Sequence, residues 1–526
     1  MPQGSLALVL HAHLPFVRHP EHEDFLEEDW LFEAITESYI PLLIALQRLV
    51  EDSIAFKLTL SLTPTLCSML RDPLLRARYL RYIDRATGLA RQEIERNRDD
   101  EPLRELSQFY FDTFTECRRR FVEEWECDLV GAFGRLQDTG AIEIIASAAT
   151  HGFLPLLQQS PEVLRAQVLI GCDHYRETFD RTPRGFWLPE CGYTPALDQI
   201  LHEANIRWFI VDTHGLLFGK PRPRRASYAP CYTPSGPAAF ARDRESSRQV
   251  WSAQEGYPGD PAYRDFYRDA GHDLPLDYLR PFLPSPATRK FTGLKYHRIT
   301  GRERDKEIYR RDWAENAVEI HANHFLDARR KQLADLGTLG FDPIVVIPFD
   351  AELFGHWWFE GPRFLDLFIR KAIYDQRDFQ LTTPGEYLSQ HPTQQIVAPA
   401  ASSWGKNGHS EMWLDPANSW IYPHLHAAAY RMTEAARAHA NQTTAFADRL
   451  LKQLARELLL GQSSDWAFLM KTGTAREYAT KRIHDHLLRF NRLYEQLVTN
   501  QTDEAFLSDC EQRDNLFPNL NWRYYL

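Results

Sequence analysis

Residues Arg184–Pro195 read RGFWLPECGYTP. The apolar run Gly185–Leu188 has the length and composition of a buried strand. It ends in a carboxylate, Glu190, held between Pro189 and Cys191. A charge at the end of a buried run is costly unless it is paired or put to use. Two roles fit: a structural carboxylate at the start of the helix announced by Thr194-Pro195, or a working acid at the mouth of a parallel barrel.

The same pattern recurs along the chain. Short apolar runs at Leu6–Leu10, Ala55–Leu62, Ile142–Ala146, Trp208–Val211 and Ile344–Ile347 read as buried parallel strands. Helix starts follow most of them: Ser160-Pro161-Glu162, Thr194-Pro195 and Thr382-Thr383-Pro384-Gly385-Glu386 each place a capping hydroxyl before a first-turn Pro. Strands alternating with helices predict a parallel α/β sheet or barrel. Polar residues sit just past the strands. His11 and His13 follow the first run, His151 the third, Glu190 the fourth, Asp212 and His214 the fifth, and Asp350 the last. Chemistry gathered at the C-terminal ends of parallel strands marks the active face of a β/α barrel.

Residues 66–130 interrupt the rhythm with Arg, Glu and Leu at helical spacing and predict an inserted helical subdomain. Residues 215–300 are rich in Pro, Gly, Arg and Tyr with little periodicity, and long irregular segments inside compact domains are usually functional or disordered. From about Asn418 to Leu497 the pattern is helical again, clearest in AFADRLLKQLARELLLGQ. The expected division is a catalytic barrel of residues 1–65 and 131–415, the insert 66–130, and a C-terminal helical domain 416–526.

Composition excludes several classes. The net charge of -11 is spread along the chain, so there is no basic footprint for nucleic acid. Seven cysteines with no CxxC pair indicate neither a disulfide framework nor a zinc ribbon. SLALVL at the start is too short for a signal sequence, and no apolar run is long enough to span a membrane. The expectation is a soluble cytoplasmic protein. Aromatic residues make up 13%, which suits a large aromatic core or a groove that stacks on sugar rings.

Several residue sets carry possible chemistry. His11 and His13, two apart on a strand, share one face. They are candidate metal ligands, with His151 and with Asp212 or His214 completing a set, or else imidazoles that hydrogen-bond a substrate or one another. Glu190 and Asp350 are two strand-end acids, the minimum for glycoside hydrolysis. A retaining enzyme holds such acids about 5–5.5 Å apart, where one is expected to keep its proton near neutral pH. Trp404 and Trp413 lie in the polar loop SSWGKNGHSEMWLD, where a Trp with no core to fill is expected to stack on sugar. HWWFEGP, just past Asp350, has the same character, as does Trp251 with Tyr257 in RQVWSAQEGYPG.

Taken in order, HAHLPF, THGFLP, WLPECGY, IPFDAELFGHWW and SSWGKNGHSEMW resemble the five motif regions of glycoside hydrolase family 57, over nearly the whole chain. The C-terminal helical part is similar to that of the family's α-glucan branching enzymes and some α-amylases. The resemblance implies a (β/α)7 barrel, a distorted TIM-like fold, acting on α-1,4-glucans with retention and with no required metal or cofactor. It implies Glu190 as nucleophile and Asp350 as general acid/base. His11, His13 and His151 would line the subsite of the attacked sugar, and Trp251, Trp404 and Trp413 would be substrate platforms. Arg242, Gly259 and Asp465 match substrate-contacting positions. Thr474 stands where the family usually carries Gln. The segment after Glu190 is shorter than in familiar branching enzymes, whose long loop bears a lid Tyr; Tyr228 and Tyr232 lie in the corresponding region. The expected activity is 1,4-α-glucan branching on amylose, starch or glycogen. The alternatives are α-amylase-type hydrolysis, a metal-dependent deacetylase or amidohydrolase, and a catalytically inactive glucan-binding protein.

Overall fold

The computed structural model describes residues 3–251, 255–284, 288–301 and 306–526. Among these, ten strands form one sheet: β1 (Ser5–Ala12), β2 (Leu58–Leu62), β3 (Ile142–Ser147), β4 (Gly185–Trp187), β5 (Trp208–Val211), β6 (Cys231–Tyr232), β7 (Ala238–Ala241), β8 (Ile344–Asp350), β9 (Gln380–Leu381) and β10 (Gln395–Ile396).

Seven of them run parallel in the order β7-β5-β4-β3-β2-β1-β8. The two ends of this run meet. Arg242, the residue after β7, forms a parallel bridge with Val346 of β8, and the Asp243 amide donates to the Val346 carbonyl at 2.8 Å. The sheet is therefore curled into a seven-stranded barrel: alternation of strands and helices predicts a parallel sheet or barrel, and the motif resemblance implies the seven strands. β1 is buried along its whole length because it lies between β2 and β8 and is covered on both faces.

Differences from the expected strands have local causes. The run at Ala55–Leu62 becomes a strand only at Leu58, because its neighbour β3 begins at Ile142, opposite Leu58. β4 stops at Trp187, just before Leu188 and Pro189, and Pro has no N–H for a ladder. The Pro- and Gly-rich stretch 215–300 holds β6 and β7, and β7 is the barrel's closing strand. Its sequence AAFA has weak strand propensity, but all four residues are buried beside β5.

Residues 66–130 form helices, chiefly Pro73–Arg96 and Glu101–Arg119, packed on one another. The C-terminal part is helical too: Ile421–His439, Ala445–Gly461, Ser464–Thr472, Arg476–Thr499 and Glu504–Arg513. Of the three expected helix starts, Ser160-Pro161 opens Pro161–Phe179 and Thr383 caps Pro384–Gln390 through the Glu386 amide, while after Thr194-Pro195 the helix begins at Leu197.

Helix Pro161–Phe179 approaches β3 closely at Gly171, where a Cβ would lie 2.1 Å from the Ser147 carbonyl oxygen. A methyl group there forces helix and strand apart. Gly171→Ala is expected to destabilise the protein by about 1–3 kcal/mol, seen as a lower midpoint in a thermal melt. An unchanged melt would mean that this contact does not set the helix–sheet spacing.

Candidate active site

The strand ends deliver side chains to one cavity of about 580 Å³ at the barrel mouth. β1 and β8 are in register, so His11 lies directly beside Asp350. On the other side His11 pairs with Ser61 of β2. Glu190 follows β4 in a tight turn with left-handed backbone, φ 61° at Glu190 and 49° at Cys191; His151, past β3, has φ 56°. Such conformations are costly for residues with a Cβ and tend to occur where a side chain must be aimed.

Hydrogen bonds fix the arrangement. Glu190 accepts from Trp404 Nε1 at 2.7 Å and from the Ser464 hydroxyl at 3.3 Å. Because Ser464 donates to Glu190, His151 Nδ1, 2.9 Å away, must donate to Ser464 Oγ. His151 Nε2 then accepts from His11 Nε2 at 3.0 Å, and His11 Nδ1 accepts from the Ser61 hydroxyl at 3.0 Å. One set of neutral tautomers thus satisfies a directed chain from Ser61 to Glu190. Burial, reinforced by the neighbouring imidazoles, lowers the pKa of His11 and of His151 well below the ordinary value, which keeps both rings neutral. His13 stacks on His151 at 3.7 Å and faces Asp465 through Nε2 at 3.0 Å. Burial opposes charge on Asp465, but His13, His151 and the Ser463 hydroxyl overcome it and hold the pKa at about 2.

The two acids differ in their surroundings. Burial raises Glu190 to about 7, with Trp404 opposing the rise and Asp350 and Asp465 adding to it. Burial raises Asp350 well above its ordinary range, aided by Glu352 and opposed by Arg242. Among the described residues no side chain or amide donates to the Asp350 carboxylate, whereas two groups donate to Glu190. The geometry suits Glu190 to the ionised role and Asp350 to the protonated one.

The cavity brings together His11, His13, His151, Glu190, Arg242, Trp251, Asp350, Trp404, Trp413 and Asp465. Two expectations, those for Thr474 and Trp413, need correction. Thr474 is exposed, bonds only its neighbour Thr472, and lines none of the cavities described here. Gly259 lies in an adjoining cavity, reached past Trp251. Trp413 does have a core to fill: it is 1% exposed and stacks on Phe153 at 4.1 Å, so it meets the cavity only as part of its wall. Tyr257 is likewise buried and bonds His324. Neither lid candidate reaches the site. The Tyr232 hydroxyl donates to the Pro392 carbonyl, and Tyr228 lines a separate pocket with Asp243 and Arg244. Asp212 and His214 bond each other and line a side cavity, away from the imidazole cluster.

Sequence patterns passed over Glu352, which accepts from the His13 amide and the Tyr39 hydroxyl, and Ser464. Glu352 follows Asp350 by two residues and was open to notice. Ser464 had no local signal.

His13, His151 and Asp465 place ligand atoms within 4.8 Å of one another, a possible metal set. Both nitrogens of His151 are already committed to His11 and Ser464, and those of His13 to Thr63 and Asp465. An ion there would break the chain that ends on Glu190, so the donor set does not fit a resident metal.

The barrel and the cavity at its mouth define the class: a glycoside hydrolase built on a β/α barrel. The chain belongs to glycosyl hydrolase family 57, which it matches over residues 7–399. Residues 424–525 match a second family, described as 1,4-α-glucan branching enzyme, C-terminal. The chain is 34% identical to the 1,4-α-glucan branching enzyme TK1436 of Thermococcus kodakarensis over 98% of its own length and 77% of that protein. Its fold is similar to the crystal structure of the α-amylase AmyC from Thermotoga maritima (43% identity, TM-score 0.93, 99% of each chain). It is also similar to that of a branching enzyme of the same family from Pyrococcus horikoshii (36% identity, TM-score 0.88, 100% of this chain and 97% of that one).

Trp404→Phe removes the donor that holds Glu190 down, so the Glu190 pKa rises. If Glu190 acts ionised, the acid limb of kcat/KM against pH moves to higher pH; an unmoved limb would separate Glu190 from that limb. Exhaustive chelation is expected to leave turnover unchanged, and loss of activity restored by a divalent ion would overturn the assignment of the imidazoles.

Proposed function

We propose that the protein is a 1,4-α-glucan branching enzyme that works with retention through Glu190 and Asp350. The observation that carries the mechanism is that both acids face one cavity, with donors on Glu190 and, among the described residues, none on Asp350. Glu190 attacks the anomeric carbon as Asp350 gives its proton to the departing glycosidic oxygen. A glycosyl ester on Glu190 results. The 6-hydroxyl of a second chain then attacks that carbon, Asp350 takes its proton, and Glu190 leaves. The product is an α-1,6 branch. His11, His13 and His151 line the subsite of the attacked sugar, the Asp465 carboxylate accepts from its hydroxyls, and Trp251, Trp404 and Arg242 bound it.

Transfer rather than hydrolysis is supported by the branching-enzyme match of residues 424–525 and by branching enzymes among the relatives. A second reading, hydrolysis of α-1,4-glucans, is favoured by the likeness to the α-amylase AmyC and by the absence of either Tyr228 or Tyr232 over the site. A site less shielded from water gives water a larger share of the ester.

We further read residues 1–65 with 131–415 as the catalytic body, 66–130 as a helical insert, and 416–526 as the part that brings Ser464 and Asp465 to the barrel mouth. The substrates are amylose, starch or glycogen, which places the enzyme in glycogen or starch metabolism. Seven free cysteines suit a reducing compartment and support a cytoplasmic location.

On amylose the enzyme is expected to form isoamylase-sensitive branches with few new reducing ends; reducing ends in step with cleavage would establish the hydrolase instead. Glu190→Gln and Asp350→Asn are each expected to lower turnover by at least about 10²-fold. A near-wild-type rate in either variant would remove that acid from its role.

A further inference from the structure

A second cavity, of about 1260 Å³, opens beside the catalytic one and shares Trp251, Leu353 and Trp357 with it. Drug-sized ligands fill sites of about 300–1,000 Å³, so this volume suits an extended chain. Its charged residues are paired: Lys306 with Asp265, Arg268 with Asp273, and Arg264 with Glu37 behind the wall. Paired charges offer donors and acceptors with each cation partly neutralised, which suits a neutral polyhydroxyl ligand.

The cavity contains a built aromatic surface. Trp357 is 53% exposed and stacks on Phe266 at 4.4 Å and 27°. Phe266 is backed in turn by Phe291 at 5.7 Å, and by the Lys295 ammonium 4.2 Å from its ring centre. Tyr267, 73% exposed, lies against the edge of the same group.

Trp357 is also held from its own loop. Its amide donates to the Glu352 carbonyl at 3.2 Å. The preceding His356 is fastened through its amide to Ser38 Oγ at 3.1 Å and through Nδ1 to Glu37 at 2.7 Å. Gly355, with φ +114°, brings the loop so near Glu37 that a Cβ would lie 1.8 Å from its carbonyl oxygen. Glu37 and Ser38 belong to a π-helical turn, Ile35–Tyr39, of the kind often found beside functional sites.

We propose that this second cavity binds the acceptor glucan chain, with Trp357 on Phe266 as the platform on which one of its sugar rings stacks. The orientation follows from Asp350. In the proposed reaction both the leaving oxygen and the incoming hydroxyl must meet Asp350, and the wall shared by the two cavities, Leu353 and Trp357, belongs to the segment that immediately follows it. The inference rests on the two-acid reading above, and the test separates the two.

Trp357→Ala, Trp357→Tyr and, as an exposed control outside these cavities, Trp313→Ala are assayed on amylose for branches and for reducing ends. Trp357→Ala is expected to lower the ratio of branches to reducing ends by about fivefold to tenfold, the scale of losing one aromatic anchor, while total bond cleavage stays within about threefold on that scale. Trp357→Tyr restores most of the ratio, and Trp313→Ala leaves it unchanged. In parallel, maltohexaose is titrated against Glu190→Gln with and without Trp357→Ala, and the second variant is expected to bind about fivefold to tenfold more weakly. An unchanged ratio together with unchanged binding overturns the platform, as does an equal loss of branches and reducing ends, which would place Trp357 in the cleavage step. A wild-type enzyme that makes reducing ends only defeats the transfer reading and the acceptor role with it, whereas a wild-type enzyme that branches, with ratio and binding unmoved by Trp357→Ala, defeats the platform alone.

Discussion

Glu190 and Asp350 face one cavity in which burial disfavours charge on both. The rest of the site answers that constraint. Each acid, taken alone, is driven toward its neutral form by burial, and their charges repel. The protein breaks the symmetry with donors. Glu190 receives the Trp404 indole N–H and the Ser464 hydroxyl, and Asp350 receives neither. A few hydrogen bonds to one carboxylate decide which group gives up its proton first.

Those donors depend on parts of the chain far from Glu190. Trp404 comes from the loop after the last barrel strands, and its own backbone amide donates to the Glu190 carbonyl at 3.0 Å. Ser464 comes from the C-terminal helices, which are pinned to the barrel where its amide meets the His151 carbonyl at 3.0 Å. His13 and Asp465, joined by a hydrogen bond, are 452 residues apart. The C-terminal helices are therefore part of the site's electrostatics, and the neutral imidazole chain from Ser61 to Glu190 is complete only when they are docked.

The barrel contributes position. Register puts His11 beside Asp350 across one pair of strands. The left-handed turn after β4 lifts Glu190 out of the strand direction toward the cavity. Arg242 serves twice: its backbone bridges to β8 at the barrel seam, and its guanidinium lies 5.4 Å over the Trp404 ring. A change at the seam thus reaches the platform next to Glu190 through one residue.

The sequence by itself determined the strand order of the chemistry. The apolar runs, their spacing and the polar residues just past them placed His11, His13, His151, Glu190 and Asp350 at strand ends, because the covalent period of a strand and the burial of its side chains are local properties. Glu352 was within that reach. Tertiary structure alone decided that the stretch 215–300 supplies the closing strand, that Trp413 lies in a core with Phe153, that Thr474 stays outside, and that Ser464 orients Glu190. These depend on which distant helices pack against the barrel mouth. That is set by the fit of whole surfaces, and no short stretch of residues encodes it.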